Sequence, residues 1–317
     1  MKCILSHTTD PYFNLAAEEY LLKNFNDSFY FQYVNEPSVV IGKHQNALAE
    51  IDTEFLKNHG IHLARRISGG GAVYHDHGNM NYSFITTEKP GDLVKFETYT
   101  APVIAALDQF GVNAFLGKRN EILADKGKIS GTASHVFKSR VLHHGTLLYD
   151  TDLEMLAGCL YTDPAPYKDK AVKSVRSEVV NLKELVRAHL ETQDFFDFVF
   201  KFILNAQKDN NAHIFSGKDI TEIESLCHEK FRTWAWNYGY SPRYTVERKV
   251  NGIHFITSVE KGKIIHIEIT GIGHPEIDHI ALRAITLGLN HDKGSIGREL
   301  TKKFDAATTG LILQGIF

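Results

Sequence analysis

The chain has 317 residues, 43% of them hydrophobic and 23% charged. This fits one large or two modest globular domains and excludes a disordered, collagen-like or coiled-coil chain. Its 35 Lys and Arg against 38 Asp and Glu give a net charge of −3, so no overall basic field indicates binding to nucleic acid or an anionic membrane. Cys3, Cys159 and Cys227 form no CxxC pair, which is typical of a reducing compartment. Since we find neither a signal-like start nor a long apolar run, we expect a cytoplasmic protein.

The first half of the chain alternates helix and strand signals. Asp10 followed by Pro11 predicts the start of an amphipathic helix, because Asp is a good N-cap and proline fits the first turn. Two aromatic and β-branched runs, 29–34 and 38–41, predict a pair of strands. Further patterns predict a helix at 52–58, strands at 61–67, 72–75 and 80–86, a helix at 97–110, and strands at 113–116, 122–124, 128–133 and 142–149. Without a regular βαβ rhythm, this order favours a mixed, largely antiparallel sheet flanked by helices.

The second half changes from helical to alternating patterns. Residues 182–231 are mainly helical in pattern. The dipeptides Asn251-Gly252 and Lys261-Gly262 then predict two tight hairpins. They join alternating runs at 244–249, 252–259 and 263–270, and helices are predicted at 275–289 and 295–304. We therefore predict two domains, residues 1–241 and 242–317, the second a small α+β module.

The densest chemical signal is the run from Arg65 to Asp76, in which two arginines precede three consecutive glycines. Backbone N–H groups without neighbouring side chains can approach an anion that the arginines attract, so the run predicts a phosphate-binding loop. It is not the dinucleotide fingerprint, because Tyr74 stands where the last glycine belongs, nor is it a Walker loop. A structural hairpin turn is the alternative that three glycines alone favour.

A second motif surrounds Lys128, which enters a predicted strand beside Ser130 and Gly131. A lysine in this position can project its ammonium group into a pocket and act as a point charge for a phosphate or a carboxylate. The alternative is a solvated turn lysine, which is the common case for this residue type and is what we expect of Lys126. The spacing of the residues does not choose between these alternatives.

Metal and hydrolase interpretations have weaker support. His75 and His77 share a predicted strand face, and His143-His144 offers a third ligand. However, the 17 histidines include no HExxH motif, so a zinc site is disfavoured. Ser68 and Ser130 lack the GxSxG elbow of hydrolases.

Several motifs together strongly resemble the lipoate–protein ligase A family. They occur in the order and at the approximate separations of that family: RRISGGGAVYHD at 65–76, Asn120-Glu121, KISG at 128–131, HHGTLL at 143–148, SVRS at 174–177 and an aromatic segment at 231–237. The resemblance implies an α+β catalytic domain with the fold shared by biotin protein ligases and class II aminoacyl-tRNA synthetases. It also implies a small C-terminal accessory domain.

The resemblance further implies an activity. In this family lipoate and ATP, accompanied by Mg²⁺, form lipoyl-AMP and pyrophosphate. The lipoyl group then passes to a lysine of a lipoyl domain of a 2-oxoacid dehydrogenase E2 subunit or of the glycine-cleavage H protein. No tightly bound prosthetic group, nucleic acid or membrane is implied. The alternative is an ATP-independent octanoyl- or lipoyltransferase of the same superfamily, which uses an acyl-enzyme residue, cysteine in some branches. Neither glycine motif contains a cysteine.

Matching the motifs residue by residue implies roles for named positions. Lys128 is the expected catalytic residue, binding both the lipoate carboxyl and the α-phosphate of ATP without forming a covalent bond. The further positions are Arg66, Gly71, Ala72, Val73 and Tyr74 for ATP, Ser68, Gly69, His75 and His144 for lipoate, and Gly70, Asn79 and Asn120 in support. Glu121 and Asp125 are candidates for holding Mg²⁺. Glu121 stands where the family often has Asp, which weakens the metal assignment there.

Overall fold

A computed structural model describes residues 1–89, 91, 93–160, 162–187, 190–208, 210–271 and 277–317. The chain forms two compact units. The first contains Met1–Lys43, Thr53–Leu160 and Ser174–Thr233, and the second contains His44–Asp52, Tyr161–Lys173 and Trp234–Phe317. The predicted boundary after residue 241 stays a prediction. Among the described residues, no helix is both long and apolar enough to cross a membrane.

Strands and helices are distributed over both units. The strands are β1 (Lys2–Leu5), β2 (Phe29–Val34), β3 (Ser38–Ile41), β4 (His62–Arg65), β5 (Val73–His75), β6 (Asn79–Thr87), β7 (Phe115–Leu116), β8 (Ile122–Ala124), β9 (Gly127–Ser130), β10 (Thr132–Phe137), β11 (Arg140–Leu148), β12 (Tyr167–Asp169), β13 (Ala212–His213), β14 (Tyr244–Val250), β15 (Ile253–Glu260) and β16 (Lys263–Gly271). The helices are α1 (Pro11–Asn24), α2 (Ala47–Glu50), α3 (Thr53–Asn58), α4 (Phe96–Asp108), α5 (Leu153–Cys159), α6 (Thr192–Asn205), α7 (Gly217–Leu226), α8 (His279–Thr286), α9 (Lys293–Leu300) and α10 (Ala306–Ile316). The predicted mixed α+β class is confirmed.

The largest sheet of the first unit has six strands in the order β10-β11-β6-β2-β1-β13. The pairs from β10 to β2 are antiparallel, whereas β1 is parallel to both of its neighbours. The predicted strands 29–34 and 38–41 have the right bounds, but the expectation that they pair with each other is wrong. Both edges of β2 are occupied by β1 and β6, so β3 pairs with β4 and β5 in a separate sheet.

A second correction concerns the predicted strand 128–133, which is two strands in different sheets. β9 belongs to a small antiparallel sheet with β7 and β8, and β10 forms an edge of the six-stranded sheet. The chain changes sheets at Gly131, whose N–H donates to the Thr146 hydroxyl and whose carbonyl accepts from the Thr146 N–H. Gly131 therefore lies against β11 at the point where the two sheets meet.

Helix α1 begins where Asp10 and Pro11 predict it. The side chain of Asp10 accepts a hydrogen bond from the N–H of Tyr12, as an N-cap does. The helix is buried on almost all sides, including two acidic residues, Glu18 and Glu19, that are 1% and 2% exposed. A buried carboxylate requires hydrogen-bond donors to compensate its lost hydration. Helix α1 therefore carries buried polar interactions in addition to its apolar packing.

The second unit is built on an antiparallel sheet in the order β12-β14-β15-β16. Asn251 and Gly252 have φ of 49° and 80°, as a two-residue hairpin turn requires, and Lys261-Gly262 forms the second predicted turn. The predicted helix 275–289 is shorter, as α8, and its first residues lie outside the described residues. Helix α10 was not predicted, and β12 joins this sheet from far earlier in the chain.

Candidate active site

The glycine motif forms a tight loop after β4. The N–H of Lys43 donates to the carbonyl of Ser68, which holds the loop against the chain at Gly42. A Cβ on residue 42 would lie 2.1 Å from the carbonyl oxygen of Gly70, so the two backbones are in close contact. Gly70 has a φ of +90°, a conformation that glycine adopts without steric cost. These two glycines therefore fix the compact shape of the loop.

The side chain of Arg66 lies inside this loop and is 6% exposed. Its Nη1 donates to the carbonyl of Val40 at 2.9 Å, and its Nη2 donates to the carbonyls of Gly69 and Gly71 at 2.6 and 2.8 Å. Burial lowers the pKa of Arg66 to about 10, although the negative charge of Glu18 acts in the opposite direction. The guanidinium group thus stays charged at neutral pH and holds the loop together. Its contact with ATP remains a prediction.

The carboxylate of Glu18 is the centre of a buried polar network that the sequence analysis missed. It accepts hydrogen bonds from the hydroxyl of Tyr33 at 3.0 Å and from the hydroxyl of Ser83. Its two oxygens also lie 2.9 and 3.0 Å from Nδ1 of His144. The available sequence signal was a pair of acidic residues, Glu18 and Glu19, between the apolar residues Ala17 and Tyr20 of a helix.

His144 and Ser68 connect this carboxylate to the glycine loop. Nε2 of His144 lies 2.6 Å from Oγ of Ser68, and Nε of Arg66 donates to the same hydroxyl oxygen at 3.0 Å. Ser68 is 1% exposed and His144 7%. Two predicted lipoate-binding residues are therefore brought into direct contact, but each uses polar atoms to bond to its protein neighbours.

Strand β5 carries three predicted site residues, of which Val73 is half-buried and Tyr74 and His75 are buried. Nδ1 of His75 accepts from the side-chain amide of Asn35 at 2.9 Å. Burial, and then the charge of Arg66, lower the pKa of His75 to about 3, so its ring is neutral. Nε2 of His75 is buried with no hydrogen-bond partner among the described residues. An unsatisfied buried polar atom of this kind is expected where a ligand binds.

Lys128 lies on β9 and is half-buried. Its Nζ is 3.3 Å from the position that a Cβ on Gly131 would occupy. Burial lowers the pKa of Lys128, the charge of Glu121 opposes this, and the charges of Arg119 and Arg66 lower it further. The ammonium group is therefore partly desolvated and lies close enough to Arg66 for their charges to interact. This is not the environment of a solvated turn lysine.

One short segment contacts both motifs. The hydroxyl of Ser174 accepts a hydrogen bond from the N–H of Ala72 at 2.9 Å, and the carbonyl of Glu178 accepts one from the N–H of Lys128 at 3.0 Å. The four residue steps between Ser174 and Glu178 span at most about 14 Å. The glycine loop and Lys128 consequently lie on the same side of the first unit.

Of the remaining predicted residues, Asn79 is buried at the start of β6, and Asn120, Glu121 and Asp125 lie around β8. Asn120 has a φ of 65°, and its carbonyl accepts from the hydroxyl of Thr132. The carboxylate of Glu121 accepts from the N–H of Arg119 at 2.8 Å. Asp125 is exposed at the other end of β8, about 13 Å away along an extended strand. These two carboxylates do not fit a shared Mg²⁺ site, and within the described ranges we find no cluster of three or more metal-binding side chains.

Comparison with known proteins identifies the family. Residues 10–204 match the family model of the lipoyl protein ligase A/B catalytic domain. The chain belongs to this family, as the resemblance of its motifs indicated. It is similar to lipoate–protein ligase 1 of Staphylococcus aureus, with 39% identity over 303 residues that cover 94% of this chain and 92% of that protein.

Solved structures agree with this assignment. Protein Ta0514 of T. acidophilum, determined with bound lipoic acid, is 28% identical and superposes with a TM-score of 0.63, covering 75% of this chain and 98% of that one. A crystal structure of lipoate-protein ligase A bound with ATP is 27% identical, with the same TM-score and the same coverage of both chains. The predicted catalytic fold, that of the lipoate ligases, is therefore confirmed.

Proposed function

We propose that the protein is an ATP-dependent lipoate–protein ligase that forms lipoyl-AMP and then transfers the lipoyl group to a lysine of a partner protein. The observation that carries this proposal is the position of Lys128. Its partly desolvated ammonium group lies on the same side of the unit as the glycine loop. The similarity to proteins solved with ATP and with lipoic acid supports the two substrates.

The proposed first step joins two anions, because the lipoate carboxylate attacks the α-phosphate of ATP. Fixed positive charge has to compensate the negative charge that accumulates, and it acts most strongly where water is excluded. Lys128 supplies such a charge next to Gly131, where the absence of a side chain leaves room for the ammonium group. The lysine is a point charge and forms no covalent bond in this scheme, so it can remain in contact with the adenylate.

The glycine loop is the proposed binding site for the nucleotide. Arg66 holds the carbonyls of Gly69 and Gly71, which leaves the following backbone, from Gly71 to Tyr74, in a fixed position. The N–H of Ala72 already donates to the hydroxyl of Ser174, so a phosphate oxygen that takes this donor has to displace that hydroxyl. ATP is expected to bind as its Mg²⁺ complex, with the metal held mainly by the phosphates.

The lipoate-binding side of the site is proposed around His75. Its buried Nε2 carries the ring proton, because Nδ1 accepts from Asn35, and it therefore offers a neutral donor to an oxygen of a bound molecule. The proposed partners in the second step are lipoyl domains of 2-oxoacid dehydrogenase E2 subunits and the glycine-cleavage H protein. A solved structure from an archaeal lipoylation system, described as a bi-partite lipoate protein ligase and its E2 lipoyl domain from Thermoplasma acidophilum, is 26% identical with a TM-score of 0.64 and supports this class of partner.

The rival function is ATP-independent acyl transfer, because the family model covers both A-type and B-type members. A transferase that uses a cysteine needs an accessible thiol with a low pKa. Cys3, Cys159 and Cys227 are all buried, and burial raises the pKa of Cys3 to about 11 and of Cys227 to about 12. These observations favour the ligase.

The decisive assay is lipoate-dependent exchange of labelled pyrophosphate into ATP. The proposal expects exchange by the wild-type protein and a loss of at least about 100-fold in Lys128→Ala, because one preorganised donor at a developing charge contributes this much. Lys126→Ala is the matched control, since this neighbouring lysine is exposed, and it should keep full activity. Acylation of a lipoyl domain that proceeds equally well without ATP would contradict the proposal.

A further inference from the structure

The polar network around Glu18 has a direction that its chemistry determines. An ionised carboxylate only accepts hydrogen bonds, so Nδ1 of His144, 2.9 Å from Glu18, carries a proton and donates it. Nε2 of the same ring lies 2.6 Å from the hydroxyl of Ser68, so one ring orientation serves both the carboxylate and this hydroxyl. The oxygen of Ser68 in turn accepts from Nε of Arg66.

We propose that Glu18 is a positioning residue for the glycine loop and acts on Arg66 through His144 and Ser68. The carboxylate holds Nδ1 of His144 and thereby orients its ring. Nε2 of the ring then positions the Ser68 hydroxyl, whose oxygen accepts a hydrogen bond from Arg66. Arg66 then holds the two glycine carbonyls of the loop. The proposal rests on the proposed function, because it assigns a consequence for ATP binding to this chain of bonds.

The burial of the network supports a precise role. Glu18, Ser68 and His144 are 1%, 1% and 7% exposed. If one of these side chains is removed, its neighbour in the network therefore has little access to water as a replacement hydrogen-bond partner. Glu18 is also held from two further strands, by Tyr33 on β2 and Ser83 on β6. Burial and the charge of Glu18 raise the pKa of Tyr33 well above its ordinary value, so this phenol remains a donor. The carboxylate is therefore fixed before any ligand binds.

The first test is the ring state of His144, observed by two-bond ¹H–¹⁵N correlation in the whole protein and assigned by its loss in His144→Gln. The proposal expects a ring that carries a proton at Nδ1. A ring protonated only at Nε2 would overturn it. This measurement does not depend on activity, so it separates the relay from the ligase assignment: absence of pyrophosphate exchange in the wild type would count against the proposed function alone.

The second test uses the variants Glu18→Gln and Ser68→Ala, singly and together. Glu18→Gln keeps the size of the side chain but removes its charge, and a charge-assisted hydrogen bond is roughly twice as strong as a neutral one. We expect the KM for ATP in pyrophosphate exchange to rise about tenfold, because the glycine loop loses its fixed geometry. Residues that act through one another give non-additive effects, so the double variant should be no worse than the more damaging single variant.

Glu19→Gln is the matched control for this cycle. Glu19 is the next residue of α1 and is equally buried, but its carboxylate pairs with Lys23 and Lys230 instead of His144. Glu19→Gln should lower the melting temperature and leave the KM for ATP unchanged. If Glu18 has only a structural role, Glu18→Gln should likewise lower the melting temperature without changing this KM. Equal KM values in Glu18→Gln and Glu19→Gln, or additive losses in the double variant, would overturn the proposal.

Discussion

Replacing Gly42 by alanine tests whether the shape of the glycine loop matters for catalysis. The added Cβ would lie 2.1 Å from the carbonyl oxygen of Gly70, whereas real Cβ atoms essentially never come closer than 3.0 Å. The loop therefore has to move by about 0.9 Å, and a misplacement of this size costs up to about 100-fold in rate when it affects reacting groups. We expect kcat/KM for pyrophosphate exchange to fall by about 10- to 100-fold, and the free energy of unfolding to fall by about 1–3 kcal/mol.

The assay for Gly42→Ala combines exchange kinetics at varied ATP with urea denaturation, which separates misplacement of the loop from loss of folded protein. Gly217→Ala is the control, because a Cβ at residue 217 meets no other atom within 4 Å. If Gly42→Ala retained the wild-type KM for ATP and the wild-type kcat, the inference that the loop needs this close backbone contact would be refuted.

Two further predictions concern the second unit. Nε2 of His291 donates to the carbonyl of Ile316 and its Nδ1 accepts from the hydroxyl of Tyr244, and burial lowers its pKa to about 4 from 6.5. As the pH falls, the unfolded chain therefore binds this proton before the folded protein does. The free energy of unfolding should decrease by about 3 kcal/mol between about pH 6.5 and pH 4. Denaturation curves of the wild type and of His291→Gln at several pH values check this, and an equal dependence of the free energy of unfolding on pH in both proteins would contradict it. Gly315→Ala would place a Cβ 2.3 Å from the ring of Phe255, and overpacking of this kind should cost about 1–3 kcal/mol in urea denaturation, whereas Gly310→Ala, with open space around it, should not.

The elements that the sequence predicted well are those with local signals. The bounds of β2, β3 and β8 and the two hairpin turns at Asn251 and Lys261 follow from turn chemistry and side-chain alternation, which act over a few residues. The pairing of strands depends on residues distant in sequence. For this reason β2 and β3 were placed together, although they belong to different sheets.

The same limit applies to the site. The motifs singled out Arg66, Ser68 and His144, which are in contact with one another, but did not indicate what else their side chains bond to. The predicted contact of Arg66 with ATP does not reveal that its guanidinium donates to the carbonyl of Val40 on β3 and to the carbonyls of Gly69 and Gly71 in its own loop. Glu18 was not predicted at all, because its partner His144 lies 126 residues further along the chain, and such a contact leaves no periodic signal.

The position of β12 has a consequence for biosynthesis. This strand is made about 75 residues before β14, the neighbour to which it bonds. At a translation rate of about 5–20 residues per second, its backbone N–H and C=O groups wait roughly 4–15 s on the ribosome for a partner. The sheet of the second unit is completed only after β14, β15 and β16 have been synthesised, so newly made molecules pass through a period in which an open strand edge is available to chaperones or to neighbouring nascent chains.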